Sequence, residues 1–547
     1  MFKTYRKSIM LMMAVILVMS LILSGCGNDS KGNLASDQVF RMNLFSEPPE
    51  LDPGTSQDQN SFTVLNGIYE GLTRLDEKAA VQKGTAESWD VSEDGKTYTF
   101  TIRKDAKWSN GDAVKASDFE YAWKRALDPN MDPPSPYAYQ LYYLKNAEKY
   151  NAGELADASQ VGVKAEGDNK LVVTLENATP YFLKLTAFFT YFPVHQATVE
   201  GNPQWAAEAE SIISNGPFKM SSWKHNESIT LAKNDNYYGK KDINFSEIQL
   251  AMIEEGATEL NMYETGDLDW AGRPIGEIPL DMLPVLKADK EANLQIKPIA
   301  SAYYYVFNST VKPFTSAKVR KALAMAIDRK DIVEKVTMGD QVPAFGFVAG
   351  VNGVVKPYRE EVKDNYFTED AAAAKKLLAE GLADEGLSKF PEVTLIHNTG
   401  QGHTKVATAI VDMWRKNLGI EVKIESQEFG VLLNNRTNLN YQIARAGWGA
   451  DYDDPMTYID LFTSTSGNND SGWKNADYDA LVKKAYAETD AKKRMDYIAE
   501  AEKMLIDDMV IMPIYYYTAI WMSKPNVKGV FIDYGGNIDF NRGYIEK

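Results

Sequence analysis

Residues 442–455 read Gln-Ile-Ala-Arg-Ala-Gly-Trp-Gly-Ala-Asp-Tyr-Asp-Asp-Pro, which spaces Arg445, Trp448 and Asp451 three apart. A guanidinium, a large aromatic face and a carboxylate in one short stretch can hold the two ends of a zwitterion. Gly449 and the neighbouring small residues let a ligand backbone approach closely. The same stretch also fits a strand-to-loop junction with an internal Arg445–Asp451 pair. Asp453 and Asp454 read as solvated or structural carboxylates.

Catalytic chemistry finds less support. The four histidines, His195, His225, His397 and His403, form no HExxH and have no cysteine close by, so neither a metal nor a cofactor is expected. There is no GxSxG elbow and no P-loop. Asp90, Ser92 and Asp94 before Gly95 resemble the start of a calcium loop, but its twelfth position is Thr101 where a bidentate Glu is needed. With 76 carboxylates, acid pairs arise by number alone. A secreted hydrolase using two of them is therefore the weaker alternative to a binding protein.

The chain has 547 residues, 59 basic and 76 acidic side chains, and a formal charge of −17. That balance argues against nucleic acid as a partner. Length alone predicts roughly three or four domains. The one cysteine, Cys26, cannot form an internal disulfide. It follows a basic start (Lys3, Arg6, Lys7), an apolar run from Ile9 to Leu23, and Ser24-Gly25. Such a run is short for a membrane span and reads as a secretory leader, residues 1–25. Residues 26–37, small and polar, read as a flexible tether, with the folded body from Gln38.

The body reads as mixed α/β. Val39 to Phe45, Thr97 to Ile102, Leu171 to Leu175 and Ile229 to Ala232 alternate as strands, with a turn at Glu93-Asp94-Gly95-Lys96. Tyr303-Tyr304-Tyr305 and Tyr515-Tyr516-Tyr517 read as buried strands. A helix is expected from Ser117 as N-cap, with Glu120 completing a capping box, to Asp128-Pro129. Others cover Val319 to Ile327, Glu369 to Leu378 and Val406 to Leu418, the last ended by Gly419.

Several blocks in collinear order carry a resemblance. They are Leu51-Asp52-Pro53, Tyr69-Glu70-Gly71-Leu72, Asp94 to Phe100, Lys107-Trp108-Ser109-Asn110-Gly111, Ser214-Asn215-Gly216-Pro217-Phe218, Tyr303-Tyr304-Tyr305, Pro313-Phe314 and Val319 to Leu323. Over nearly the whole mature length the chain resembles the peptide-binding branch of the ABC-importer solute-binding proteins. Leu23-Ser24-Gly25-Cys26 resembles the bacterial lipobox.

The resemblance implies a three-domain α/β fold of the periplasmic-binding-protein type, two hinged lobes plus an extra domain. Domain I would comprise 38–60, 188–302 and 512–547, domain II 61–187 and domain III 303–511. The ligand would be an extended oligopeptide enclosed between lobes and delivered to an ABC permease. Dipeptides, murein peptides or a signalling peptide are alternatives on the same fold. By the same resemblance Asp451 meets the peptide ammonium beside Trp448, while Arg445 and His403 meet its carboxylate. Glu47 and Pro48 pair its backbone, Asn215 and Gly216 line the domain I side, and Tyr137, Tyr139 and Tyr305 form walls. The family lysine used for some short peptides has no clear counterpart near Val336-Thr337. Cys26 would carry lipid, anchoring a monomer to the outer face of the cell membrane.

Overall fold

The computed structural model describes residues 33–547; the leader, Cys26 and most of the expected tether lie outside the described residues. The body starts earlier than expected. Leu34 bridges Glu546, and the Ala35 N–H donates to the Ile545 carbonyl at 2.9 Å. Residues 34 and 35 are therefore not tether, because the C-terminal Tyr544–Ile545 edge offers them free backbone groups to pair with.

One eleven-stranded sheet runs through the molecule. From one edge the strands are Lys423–Gln427, Thr394–Asn398, Ile443–Gly449, Leu294–Phe307, Ile511–Ser523, Trp270–Gly272, Val39–Asn43, Glu247–Ala251, Ser228–Lys233 and Phe218–Lys224, with Val342–Pro343 beside Ile511–Ser523. The first two strands are parallel, which requires a crossover, and the Gln401–Leu418 helix supplies it. Gly419, at φ 71°, closes that helix where a left-handed residue is needed. The two long antiparallel strands, Leu294–Phe307 and Ile511–Ser523, connect the two ends of the sheet, and their register breaks between Pro298 and Ala302. Both tyrosine triplets lie in these strands, Tyr303, Tyr304 and Tyr305 fully buried.

A separate antiparallel sheet has the order Ala86–Val91, Thr97–Ile102, Lys170–Thr174, Val163–Ala165. Tyr98, Phe100 and Ile102 are buried while the alternating threonines are half-exposed, as a one-sided sheet demands. The helix beside it runs from Ala116 to Ala126, starting two residues earlier than expected, with Lys115 at the N-cap position. Ser117 is not its cap. Asp118 accepts the Lys115 backbone N–H at 2.8 Å and Trp108 Nε1–H at 3.1 Å, while Glu120 accepts from Ala165 N–H at 2.7 Å. Among the described residues no helix is long and apolar enough to cross a membrane.

Candidate functional site

Along the Ile443–Gly449 strand, side chains alternate between two faces. Arg445, Gly447 and Gly449 share one face, and Asp451 follows with the same parity. All four line a cavity of about 280 Å³, with Trp448, Tyr137, His403, Arg273, Phe45 and Ser46 among its other walls. The Arg445–Asp451 pair allowed by sequence does not form.

Asp451 meets no cation among the described residues. One of its oxygens accepts Gln140 Nε2–H at 2.7 Å and the Thr457 hydroxyl at 3.3 Å. Burial first, and the nearby Asp460 carboxylate second, hold its pKa well above the usual carboxylate range. Trp448 is fixed by its Nε1–H donating to the Thr457 carbonyl at 2.8 Å and by stacking on Tyr137, ring centroids 5.9 Å apart. Gly449 is closely approached: a Cβ there would stand 3.0 Å from the Gly535 carbonyl oxygen.

At the other end Arg445 meets no carboxylate among the described residues. Its Nη2 donates to the Tyr517 hydroxyl at 2.6 Å and its Nη1 to Asn398 Oδ1 at 3.3 Å, and Nε has no partner. The guanidinium lies 5.0 Å from the Tyr303 ring centre. Arg273 sits 4.4 Å over the Tyr517 ring, so two guanidinium groups converge on one tyrosine. Sequence reasoning missed Arg273, because Gly272-Arg273-Pro274 carries only the composition of a loop. His403 stands with Nδ1 3.3 Å from the Tyr303 hydroxyl. Burial, then the charge of Arg445, pushes its pKa well below the ordinary histidine value, so the ring is neutral and offers a carboxylate an N–H but no charge.

Other expected site residues lie elsewhere. Glu47 accepts from His225 at 2.7 Å and from the Asn226 backbone N–H at 2.7 Å, so it points at a hairpin, and neither it nor Pro48 lines the cavity. Phe45 and Ser46 of that segment do. Asn215 is buried and spans the Glu70 backbone, accepting from its N–H at 3.0 Å and donating to its carbonyl at 2.9 Å. A Cβ on Gly216 would lie 2.4 Å from the Ile68 carbonyl carbon. Both residues are joints between segments. Tyr305 lies behind Tyr303, and Tyr139 lines a second cavity. Asp453 and Asp454 are structural: Asp453 pairs Lys184 at 3.2 Å, and Asp454 takes both Arg494 nitrogens at 2.8 Å.

Residues 80–470 match the family described as bacterial extracellular solute-binding proteins, family 5 Middle. The oligopeptide-binding protein OppA of Bacillus subtilis (strain 168) is 42% identical over 97% of this chain and 98% of its own. Haemophilus influenzae OppA, solved in complex with the peptide RPPGFSPFR, superposes with a TM-score of 0.86 at 32% identity, covering 94% of this chain and all of that one. The Escherichia coli murein tripeptide-binding protein MppA superposes at 0.85, and an MppA murein tripeptide-binding protein in its unliganded open form at 0.60, each at 31% identity over 94% of this chain and 99% and 98% of its own. A loss of fit at constant sequence is a difference in how the parts are arranged, so the arrangement here is unlike the open one. By matched span, identity and fold, the chain belongs to the bacterial extracellular solute-binding proteins of family 5.

Proposed function

We propose that the chain is the receptor of a bacterial peptide importer, capturing oligopeptides in extended form and presenting them to an ABC permease. The observation that carries this reading is a pair of charged groups without counter-ions, Asp451 and Arg445, lining one cavity on one face of one strand. A charge taken out of water needs an opposite charge or full hydrogen bonding, and a peptide's ammonium and carboxylate supply both. Gly447 and Gly449 leave the strand between them bare for a backbone of any sequence.

In this reading Asp451 receives the peptide ammonium with Trp448 and Tyr137 stacked beside it. Arg445 and Arg273 face the carboxylate, and neutral His403 donates one hydrogen bond. With the domain bounds that the resemblance implies, domains I and III meet at residues 302–303 and 511–512, within one long connecting strand and at the start of the other, so closure would turn on these strands. The chain binds and does not catalyse. Cleavage before Cys26 and lipid attachment there anchor it as a monomer on the outer face of the cell membrane. Mass spectrometry of the mature protein should find acyl chains on residue 26, and Cys26→Ser should release the protein from the membrane.

Titration calorimetry with a mixed-sequence oligopeptide tests the site. Asp451→Asn, or N-acetylation of the peptide, should weaken binding about tenfold or more, the effect of losing one charge-assisted hydrogen bond. Unchanged affinity in both would remove Asp451 from the role. Native mass spectrometry of the purified protein would show whether oligopeptides, dipeptides or murein peptides travel with it.

A further inference from the structure

A second cavity, of about 250 Å³, shares no lining residue with the first. The short Ala138–Leu141 helix separates them: Tyr137 before it faces the first cavity and Tyr139 within it faces the second. Tyr139, Tyr142 and Tyr143 form one wall, and Asp460 and Tyr486 come from a distant part of the chain.

Asp460 is 1% exposed. Its Oδ2 accepts from the hydroxyls of Tyr452 and Tyr486, each at 3.0 Å. Its Oδ1 has no partner, nor does the buried Tyr139 hydroxyl in the same cavity. Native interiors pair nearly all such atoms, so two unmatched groups on residues that line one cavity point to a missing donor. The rim carries Glu148, Glu176 and Asp479, and its Lys483 is already paired with Glu148 at 3.1 Å. A negative rim and a buried carboxylate select a cation. The rings of Tyr143 and Tyr486, edge to face at 5.1 Å, offer it apolar and π surface. Among the described residues no group of three or more metal-ligating side chains is placed to hold a metal ion. A quaternary ammonium has no N–H for Asp460 Oδ1.

We infer that this cavity binds a small primary alkylammonium, its N–H groups donating to Asp460 Oδ1 and the Tyr139 hydroxyl and its alkyl body lying against Tyr142, Tyr143 and Tyr486. The site is distinct from that of the peptide ammonium, although Gln140, next to Tyr139, donates to Asp451.

Calorimetric titration of the folded, peptide-free chain with n-propylammonium chloride tests this, with tetramethylammonium chloride and propan-1-ol as controls. One equivalent of propylammonium should bind, and the controls should not. Asp460→Asn should weaken it about tenfold or more, the effect of removing a charge-assisted partner. Thr465→Trp, at an exposed position lining the cavity and in no hydrogen bond with Asp460, should block entry even if the Asp460 variant fails to fold. Asp451→Asn should leave amine binding intact. Absence of binding, equal binding of tetramethylammonium or propanol, loss in Asp451→Asn, or full binding in the Thr465→Trp variant would each overturn the assignment.

Discussion

At the scale of single residues, the site works by leaving charges unsatisfied. In the empty protein burial, and then Asp460, disfavour the charged form of Asp451 and raise its pKa well above the usual carboxylate range. A peptide ammonium supplies the missing counter-charge and lowers the pKa, so peptide binding is coupled to proton release. Binding enthalpies measured in buffers of different ionisation enthalpy should differ at neutral pH. The difference should vanish in Asp451→Asn, and a buffer-independent enthalpy in the natural chain would contradict the account. The charged positions were legible in sequence because Arg445, Trp448 and Asp451 lie three apart in a Gly- and Ala-rich stretch within the family resemblance. Arg273 was not, because it reaches the cavity from a loop some 170 residues away, a distance only folding removes.

At the scale of elements, the blocks that carry the family resemblance are mostly joints. Asp52 pairs Arg125 through two contacts at 3.0 and 2.5 Å. Glu70 accepts from the Tyr237 and Tyr238 hydroxyls at 2.6 and 2.7 Å. Asn215 and Gly216 close on residues 68–70, where Gly216 has no room for a Cβ. Gly216→Ala should therefore destabilise the protein by about 1–3 kcal/mol, the usual cost of overpacking, measured by denaturant unfolding. Its peptide contacts should be unaffected.

The Gln401–Leu418 helix shows a joint of another kind. The Glu277 carboxylate accepts the Gly402 N–H at 2.7 Å, and Lys405 reaches Asp281 at 3.4 Å. A carboxylate at a helix N-terminus is favourable, and this one comes from the opposite side of the cavity. Glu277→Gln should loosen the closed arrangement and speed peptide dissociation by a few-fold. Small-angle scattering of the peptide-free variant should show a larger radius of gyration than the natural chain. An unchanged radius and off-rate would mean that the contact does not help hold the parts together.

At the scale of the whole molecule, several carboxyls are buried at an electrostatic cost. Burial pushes Asp58 and Asp533 up to about 6, and Asp460 and Glu259 up to about 7, despite hydrogen bonds that work the other way. Their ordinary values are 3.8 for Asp and 4.5 for Glu, so between these limits the folded state binds more protons than the unfolded. The stability they contribute is present at low pH and is lost as pH rises through about 6 to 7. Carboxyls held low, such as Asp76 and Asp94, act oppositely, but only below about pH 4. Unfolding midpoints of the peptide-free protein should therefore fall from pH 5 to pH 7. A rise across that window would show that these groups are not protonated when folded. A bound peptide should flatten the fall, since it favours ionised Asp451.

By itself the sequence determined the fold class, the main strands and helices, the family and the two charges at the cavity. Those follow from periodicity, collinear motifs and residue spacing, which are local or ordered along the chain. Only the tertiary structure decided which motif residues line the cavity and which are joints. Glu47, Asn215, Gly216 and Tyr305 are implied by the same resemblance as Asp451, yet their polar groups and van der Waals space are used by protein neighbours. Whether a side chain's partner is another part of the chain or is missing depends on residues that folding brings near. That accounting also exposed the unpartnered Asp460 Oδ1, which no spacing in the sequence marks.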